Sequence, residues 1–177
     1  MIILRNKLFS DKEITNHAKT GDIIFIDMDD TIVDHSITAS KVSSGEINES
    51  NASSSFILKY SVPYKDCVKI INKLSKKYNL YILTGSSWNK PSDKFNGMDW
   101  KYDWLRKYFG PDNSNIFHNK VIFCTHKELL IPIGAYLIDN RLDMKTGTIE
   151  WNRKSKLIHF GNSQFPDWDA VGKFLLG

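Results

Sequence analysis

Ile23-Ile24-Phe25-Ile26-Asp27-Met28-Asp29-Asp30-Thr31 is the stretch that decides how this chain is read. Four apolar residues in a row, most of them β-branched, suit a short strand buried on both faces. They stop at a cluster of carboxylates. In an open parallel sheet, ligands bind outside the carboxyl ends of the strands, so acids directly behind such a strand stand where a site is expected. Asp27 and Asp29, two apart on a turning backbone, can both approach one phosphoryl group, whereas neighbours on a straight strand point to opposite faces. Crowded carboxylates repel one another. A bound Mg²⁺, which takes oxygen ligands, would relieve that repulsion and bridge to phosphate. Capping of a helix N-terminus would account for Asp30 or Thr31, but one cap needs one such residue and leaves the remaining acids unexplained.

Working outward, apolar runs alternate with helical patterns, the mark of a parallel sheet covered by helices. Cys67, Ile71, Leu74 and Tyr78 form an amphipathic stripe, with Pro63 at or near the helix start and Lys76-Lys77 in the last turn. Leu80-Tyr81-Ile82-Leu83 is a second strand ending at Thr84-Gly85. Trp100 to Phe109 is a helix closed by Gly110-Pro111. Val121-Ile122-Phe123-Cys124 and Ala135-Tyr136-Leu137-Ile138 are further strands, the latter stopping at Asp139. Leu157-Ile158-His159-Phe160 is a fifth, and Trp168 to Leu176 a closing helix. Two stretches break the pattern. Residues 34–62 are rich in Ser, Asn and Thr, and residues 86–99 hold Pro91, Gly97 and scattered aromatics. A loop that long in a compact domain is usually functional or mobile, so residues 34–62 are expected to form a short lid inserted after the first strand.

The 177 residues fit one domain, taken here as 1–177, large enough to bury a core without disulfides or structural metal. With 41% hydrophobic and 25% charged residues the composition is that of an ordinary soluble protein. A net charge of +4 is too small to argue for stable nucleic-acid binding, although a phosphorylated anion would be welcome. Cys67 and Cys124 lie in apolar surroundings without a telling His or Lys partner and read as small buried residues in a reducing compartment. Charges return at Arg5 and Lys7, so no secretory leader is expected, and no run approaches the roughly 20 apolar residues of a membrane span. A cytoplasmic setting follows as an expectation.

Three further features extend the acidic cluster. Thr84, followed by Gly85-Ser86-Ser87, offers a hydroxyl and backbone N–H groups at a strand end, an arrangement suited to a phosphate oxygen. Lys127, a few residues behind the third strand, could neutralise charge on a phosphoryl group and on a nucleophile, although an isolated lysine is more often a solvated surface residue. Asp139 repeats the strand-then-acid arrangement of Asp27, and Asp143 follows it.

In this order, Asp27-x-Asp29-x-Thr31, Thr84, Lys127 and Asp139 with Asp143 resemble the four motifs of the haloacid dehalogenase-like hydrolases, over the chain from Ile23 to its C-terminal end. Within that superfamily Phe25-Ile26-Asp27-Met28-Asp29, Lys101-Tyr102-x-Trp104-Leu105 with Tyr108-Phe109, and Tyr136-Leu137-Ile138-Asp139 are most similar to the 5′(3′)-deoxyribonucleotidases. The resemblance implies a doubly wound, Rossmann-like sheet, Mg²⁺ and hydrolysis of nucleoside monophosphates. By position it makes Asp27 the nucleophile and Asp29 the acid that protonates the leaving alcohol and then the base that activates water. Thr84 and Lys127 would hold phosphate oxygens, with Thr31, Gly85 and Ser86 beside them. The metal would sit among the Asp27 carboxylate, the Asp29 backbone carbonyl and Asp139. The family usually has two adjacent acids where this chain has Asp139-Asn140, which leaves an Asn carbonyl as the oxygen ligand there. Phe56, Tyr60 and Trp88, in the two unpatterned stretches, are the aromatic candidates for stacking on a base. Three other readings stay open. A signalling receiver domain also uses acids, a Thr and a Lys on a doubly wound sheet, but splits its acid pair from its phosphoacceptor. A relative could bind phosphate without turning it over, and the substrate could be a nucleic-acid phosphate end or a small metabolite.

Overall fold

The computed structural model describes residues 23–47, 60–85 and 97–177. Its centre is β1 (Ile23–Ile26), buried along its whole length. Successive side chains of a strand point to opposite faces, and β1 divides its four residues accordingly. Ile24 and Ile26 enter one core with Ile71, Ile82, Trp104 and Trp168, while Ile23 and Phe25 enter a second with Leu83, Leu137 and Trp151. A strand with two apolar faces must be covered on both sides, which explains why the run does not alternate with polar residues.

β1 is followed by a two-residue strand β2 (Val33–Asp34) and a helix α1 (Ser36–Ser43), then after residue 59 by β3 (Val62–Pro63), which pairs antiparallel with β2. Next come α2 (Cys67–Leu74), β4 (Asn79–Thr84), α3 (Gly97–Phe109) and β5 (Val121–Phe123). A 3-10 helix, Lys127–Ile133, leads to β6 (Tyr136–Asp139), α4 (Thr148–Arg153), β7 (Leu157–His159) and α5 (Trp168–Leu176). The main sheet runs β5-β4-β1-β6-β7, every described pair parallel. Numbered along the described strands this order is 3-2-1-4-5, the doubly wound half-and-half arrangement. A receiver-type sheet has the order 2-1-3-4-5, so that alternative does not match the fold.

α2 buries Cys67, Ile70, Ile71 and Leu74, the i, i+3, i+4, i+7 face of an amphipathic helix. It packs on α5, where a Cβ on Gly172 would stand 2.9 Å from Ile70 Cδ1, so the missing side chain lets the two helices approach. α5 starts at Asp167, whose Oδ1 accepts from Ala170 N at 2.9 Å.

The structure corrects several expectations from the sequence. Pro63 does not open a helix: it pairs with Val33 in β3, and α2 begins only at Cys67, after Asp66 with its left-handed φ of 60°. Proline fits both places for the same reason, since neither a first helical turn nor a short edge strand needs its N–H. Part of the 34–62 stretch is regular. α1 buries only Thr38, while its apolar Ile37 and Ala39 are exposed and Val42 is half-buried, so its buried face leaves no apolar periodicity to read. α3 begins at Gly97, inside the second stretch expected to be irregular, and α4 and the 3-10 helix were not foreseen. Cys67 is buried and free, whereas Cys124, expected within the third strand and buried, lies just past β5 and is half-buried. Among the described residues no helix is long and apolar enough to cross a membrane.

Candidate active site

Because β1 lies between β4 and β6, the residues at the carboxyl ends of these three strands share one edge of the sheet: Asp27 just past β1, Thr84 ending β4 and Asp139 ending β6. Asp27 N donates to Ile138 O at 2.9 Å, extending the ladder one residue beyond β1 and fixing where that carboxylate starts. The chain then turns sharply. Ile32 N and Val33 N both donate to Met28 O, at 3.1 and 3.0 Å, and Asp30 takes a left-handed φ of 53°, a conformation that Asp tolerates better than most residues. Trp168 Nε1 donates to Thr31 O at 2.9 Å and ties the turn to α5.

Lys127 is buried, not a solvated surface lysine. Its Nζ donates to Asp27 Oδ1 at 2.6 Å and to Asp139 Oδ2 at 2.5 Å. The 3-10 helix that carries it is held by Trp151 Nε1 donating to Lys127 O and Lys127 N donating to Thr146 O, both at 3.1 Å. Burial pushes the Asp27 carboxyl up; Lys127 opposes this and Asp139 and Asp29 add to it, and the result is a pKa of about 6. For Lys127 burial acts to lower the pKa, but the two flanking carboxylates outweigh it and hold the ammonium above its usual value. The other Asp139 oxygen accepts from Arg141 N at 2.8 Å.

Asp29 is set apart from this cluster. Its side chain is 40% exposed, against 8% for Asp27, and it is gripped from two sides. Lys101 Nζ donates to Oδ2 at 2.6 Å, and His35 Nε2 lies 3.2 Å from Oδ1 while its Nδ1 lies 2.8 Å from Ser61 Oγ. Burial would raise the Asp29 pKa, but the His35 and Lys101 contacts outweigh it and hold the carboxyl well below the usual range.

Thr31 is fully buried, its Oγ1 3.3 Å from both Asp27 Oδ2 and Asn140 Oδ1 and accepting from Asn140 N at 3.1 Å. It therefore links the loops after β1 and β6. Thr84 is also fully buried, and Gly85 O accepts from Lys101 Nζ. Asp143 accepts from Thr146 N and Thr146 Oγ1, both at 2.8 Å, and shapes the turn into α4. Tyr60 is exposed, with Lys41 Nζ 5.9 Å from its ring centroid. Phe56, Ser86 and Trp88 lie outside the described residues.

Lys101 is the residue that sequence reasoning missed as part of the site. Its Nζ donates to Asp29 Oδ2 and Thr84 Oγ1, each at 2.6 Å, and to Gly85 O at 2.9 Å, and it is buried. A signal for it exists. Trp104, Leu105 and Phe109 mark the buried face of α3, and Lys101, three and four residues before the first two, falls on that face. A lysine in an apolar stripe needs polar partners.

Among the described residues no three His, Cys, Asp or Glu side chains gather as a metal cluster. The donors near Lys127 and Thr31 are two carboxylates, Asp27 and Asp139, and the Asn140 amide oxygen, an all-oxygen set that suits a hard cation completing its shell with water.

No family model matches the chain. Over 158 residues it is 30% identical to a protein of Vibrio phage KVP40 named "Putative 5'(3')-deoxyribonucleotidase", with 86% of this chain and 84% of the phage protein covered. At that identity and coverage, the chain belongs to the family of this phage protein, the 5′(3′)-deoxyribonucleotidases.

Proposed function

We propose that the chain is a Mg²⁺-dependent phosphomonoester hydrolase of the haloacid dehalogenase-like type, acting through a phosphoaspartyl intermediate on nucleoside monophosphates, preferably deoxyribonucleotides. The observation that carries this reading is the division of acids at the sheet edge: Asp27 buried and paired with Lys127 and Asp139, Asp29 apart and partly open to solvent. Such a division suits one carboxylate to attack and the other to exchange protons, which supports the reading.

In the first step an Asp27 carboxylate oxygen bonds to phosphorus as the bond to the ester oxygen breaks. Lys127 and the Thr84 hydroxyl hold phosphoryl oxygens. Asp29 gives the leaving oxygen a proton. The free chain holds Asp29 ionised, and a phosphate dianion arriving beside it raises its proton affinity, which favours the donor form. In the second step Asp29 takes a proton from water as the water oxygen attacks phosphorus and Asp27 departs as carboxylate.

Asp27, Asp29 and Asp139 carry three negative charges against the two positive charges of Lys101 and Lys127. That balance repels a phosphate dianion until a divalent cation joins. Asp27, Asp139, Asn140 and the Asp29 main-chain carbonyl are the groups that would hold it. When bound, Mg²⁺ supplies charge neutralisation and polarises the phosphoryl group.

The substrate class rests on the name of the phage relative and on the aromatic residues Phe56, Tyr60 and Trp88 in the stretches that follow β1 and β4. Residues 34–62 would act as a short cover, and a stacked ring contributes about 1–3 kcal/mol. The free cysteines suit a cytoplasmic setting. The test is kcat/KM for dUMP, dTMP, UMP and glycerol phosphate at saturating Mg²⁺, with a chelator control. The reading expects loss of turnover with chelator and a clear preference for nucleotides. Equal values for glycerol phosphate and every nucleotide would remove the nucleotidase assignment.

A further inference from the structure

The Lys101 ammonium sits where two functions meet, and its geometry restricts what it can do. All three protons are committed, to Asp29 Oδ2, Thr84 Oγ1 and Gly85 O, at 2.9 Å or less. The side chain is only 7% exposed. A lysine with no spare proton and almost no open surface is poorly placed to bind a phosphate itself, unlike a mobile cation at a site mouth. Its effect passes through its partners.

Two consequences follow from the donor directions. A hydroxyl that accepts from an ammonium cannot donate back to it, so the Thr84 proton is left for another acceptor. Asp29 is more open than Asp27, and Lys101 holds one of its oxygens while His35 meets the other. The same ammonium thus joins the loop after β1 to the end of β4, from α3, the helix that follows β4.

We propose that Lys101 is a positioning residue for the reaction: it orients Asp29 for proton exchange with the leaving alcohol and turns the Thr84 hydroxyl toward the phosphoryl oxygen. This rests on the phosphohydrolase reading above. It makes the two lysines of the site unequal. Lys127 serves the carboxylate that attacks, and Lys101 serves the one that moves protons, so each acid has its own cation. Burying an ammonium is costly unless it is well paired, and at Lys101 that cost is met by bonds to groups the reaction uses.

The test compares wild type, Lys101→Met, Asp29→Asn and the double variant on an alkyl phosphate and on p-nitrophenyl phosphate, with Mg²⁺ saturating. An alkoxide needs a proton to leave, whereas p-nitrophenolate needs little help. Lys101→Met should therefore lower kcat on the alkyl ester by about 10²-fold or more, and on p-nitrophenyl phosphate by at least tenfold less. KM should rise by a similar factor for both esters, through Thr84. In the Asp29→Asn background, Lys101→Met should add little further loss on the alkyl ester, because the acid it positions is already gone. The ratio of the two ester rates within one sample does not depend on the fraction of protein folded, so a destabilised variant still gives an answer. Equal losses on both esters, or losses that multiply in the double variant, would overturn the positioning role while leaving the phosphohydrolase intact. Absence of turnover by wild type on either ester would overturn the phosphohydrolase reading and this proposal with it.

Discussion

At the scale of single residues, the burial of Asp27 carries a cost in stability. Its pKa is raised to about 6, first by burial and then by Asp139 and Asp29 against the pull of Lys127. An unfolded Asp titrates near 3.9, so between about pH 4 and pH 6 the folded chain holds a proton that the unfolded chain has lost. Stability from this group is therefore present at low pH and lost as pH rises through that window. Asp27→Asn removes the titration. In chelator, thermal melts should show the variant gaining on wild type from pH 4 to pH 6 and holding its advantage above that, whereas a difference that does not change with pH would contradict the account of Asp27. Much of this site was legible in the sequence: Asp27, Asp29, Thr84 and Asp139 announce themselves as polar residues directly behind apolar strands. Lys127 was visible only as a candidate, because nothing local to a lysine tells whether it folds inward onto acids 100 and 12 residues away. Lys101 was hidden for the opposite reason, since a helix in which charges are common disguises one that faces the core.

At the scale of elements, the main-sheet strands and the helices α2, α3 and α5 were readable because their burial leaves a pattern in the sequence. Where an element buries little, the period vanishes: α1 buries only Thr38, and β2 and β3 are two residues each. These are the pieces that carry His35 and Ser61 to Asp29, so the illegible elements bear directly on the site. α5 shows how an element far from the chemistry supports it. Asp167 caps its first turn, Trp168 packs in the core, and the Trp168 indole holds Thr31 O in the loop beyond β1. Asp167→Ala should cost about 1 kcal/mol, measured as a lower denaturation midpoint at unchanged slope. Because Trp168 remains buried, kcat at temperatures well below the melt should stay within about twofold of wild type, and a larger loss would show that the cap positions the Thr31 loop more tightly than its own bond suggests.

At the scale of the whole molecule, strand order turns scattered residues into one site. The chain runs outward from β1 through β4 to β5, then crosses to β6 and β7, so the carboxyl ends of β1, β4 and β6 meet where the winding reverses. Residues 27, 84, 127 and 139 could be listed from the sequence, but which strand neighbours which is a three-dimensional fact, and alternation alone does not separate this sheet from a receiver-type one. The assembled edge carries more negative than positive charge, which is why the account couples phosphate entry to a divalent cation and places the attacking carboxylate against a lysine. The claim at its centre is that Asp27 takes the phosphoryl group before water does. The most direct measurement is rapid acid quench during turnover of a nucleoside monophosphate with Mg²⁺, followed by peptide mapping by mass. The account predicts a phosphoryl adduct on the peptide containing Asp27, formed in wild type at a rate no slower than turnover and absent from Asp27→Asn, which should also lose several orders of magnitude in kcat. Full turnover with no adduct at any quench time, or an adduct that persists in Asp27→Asn, would contradict it.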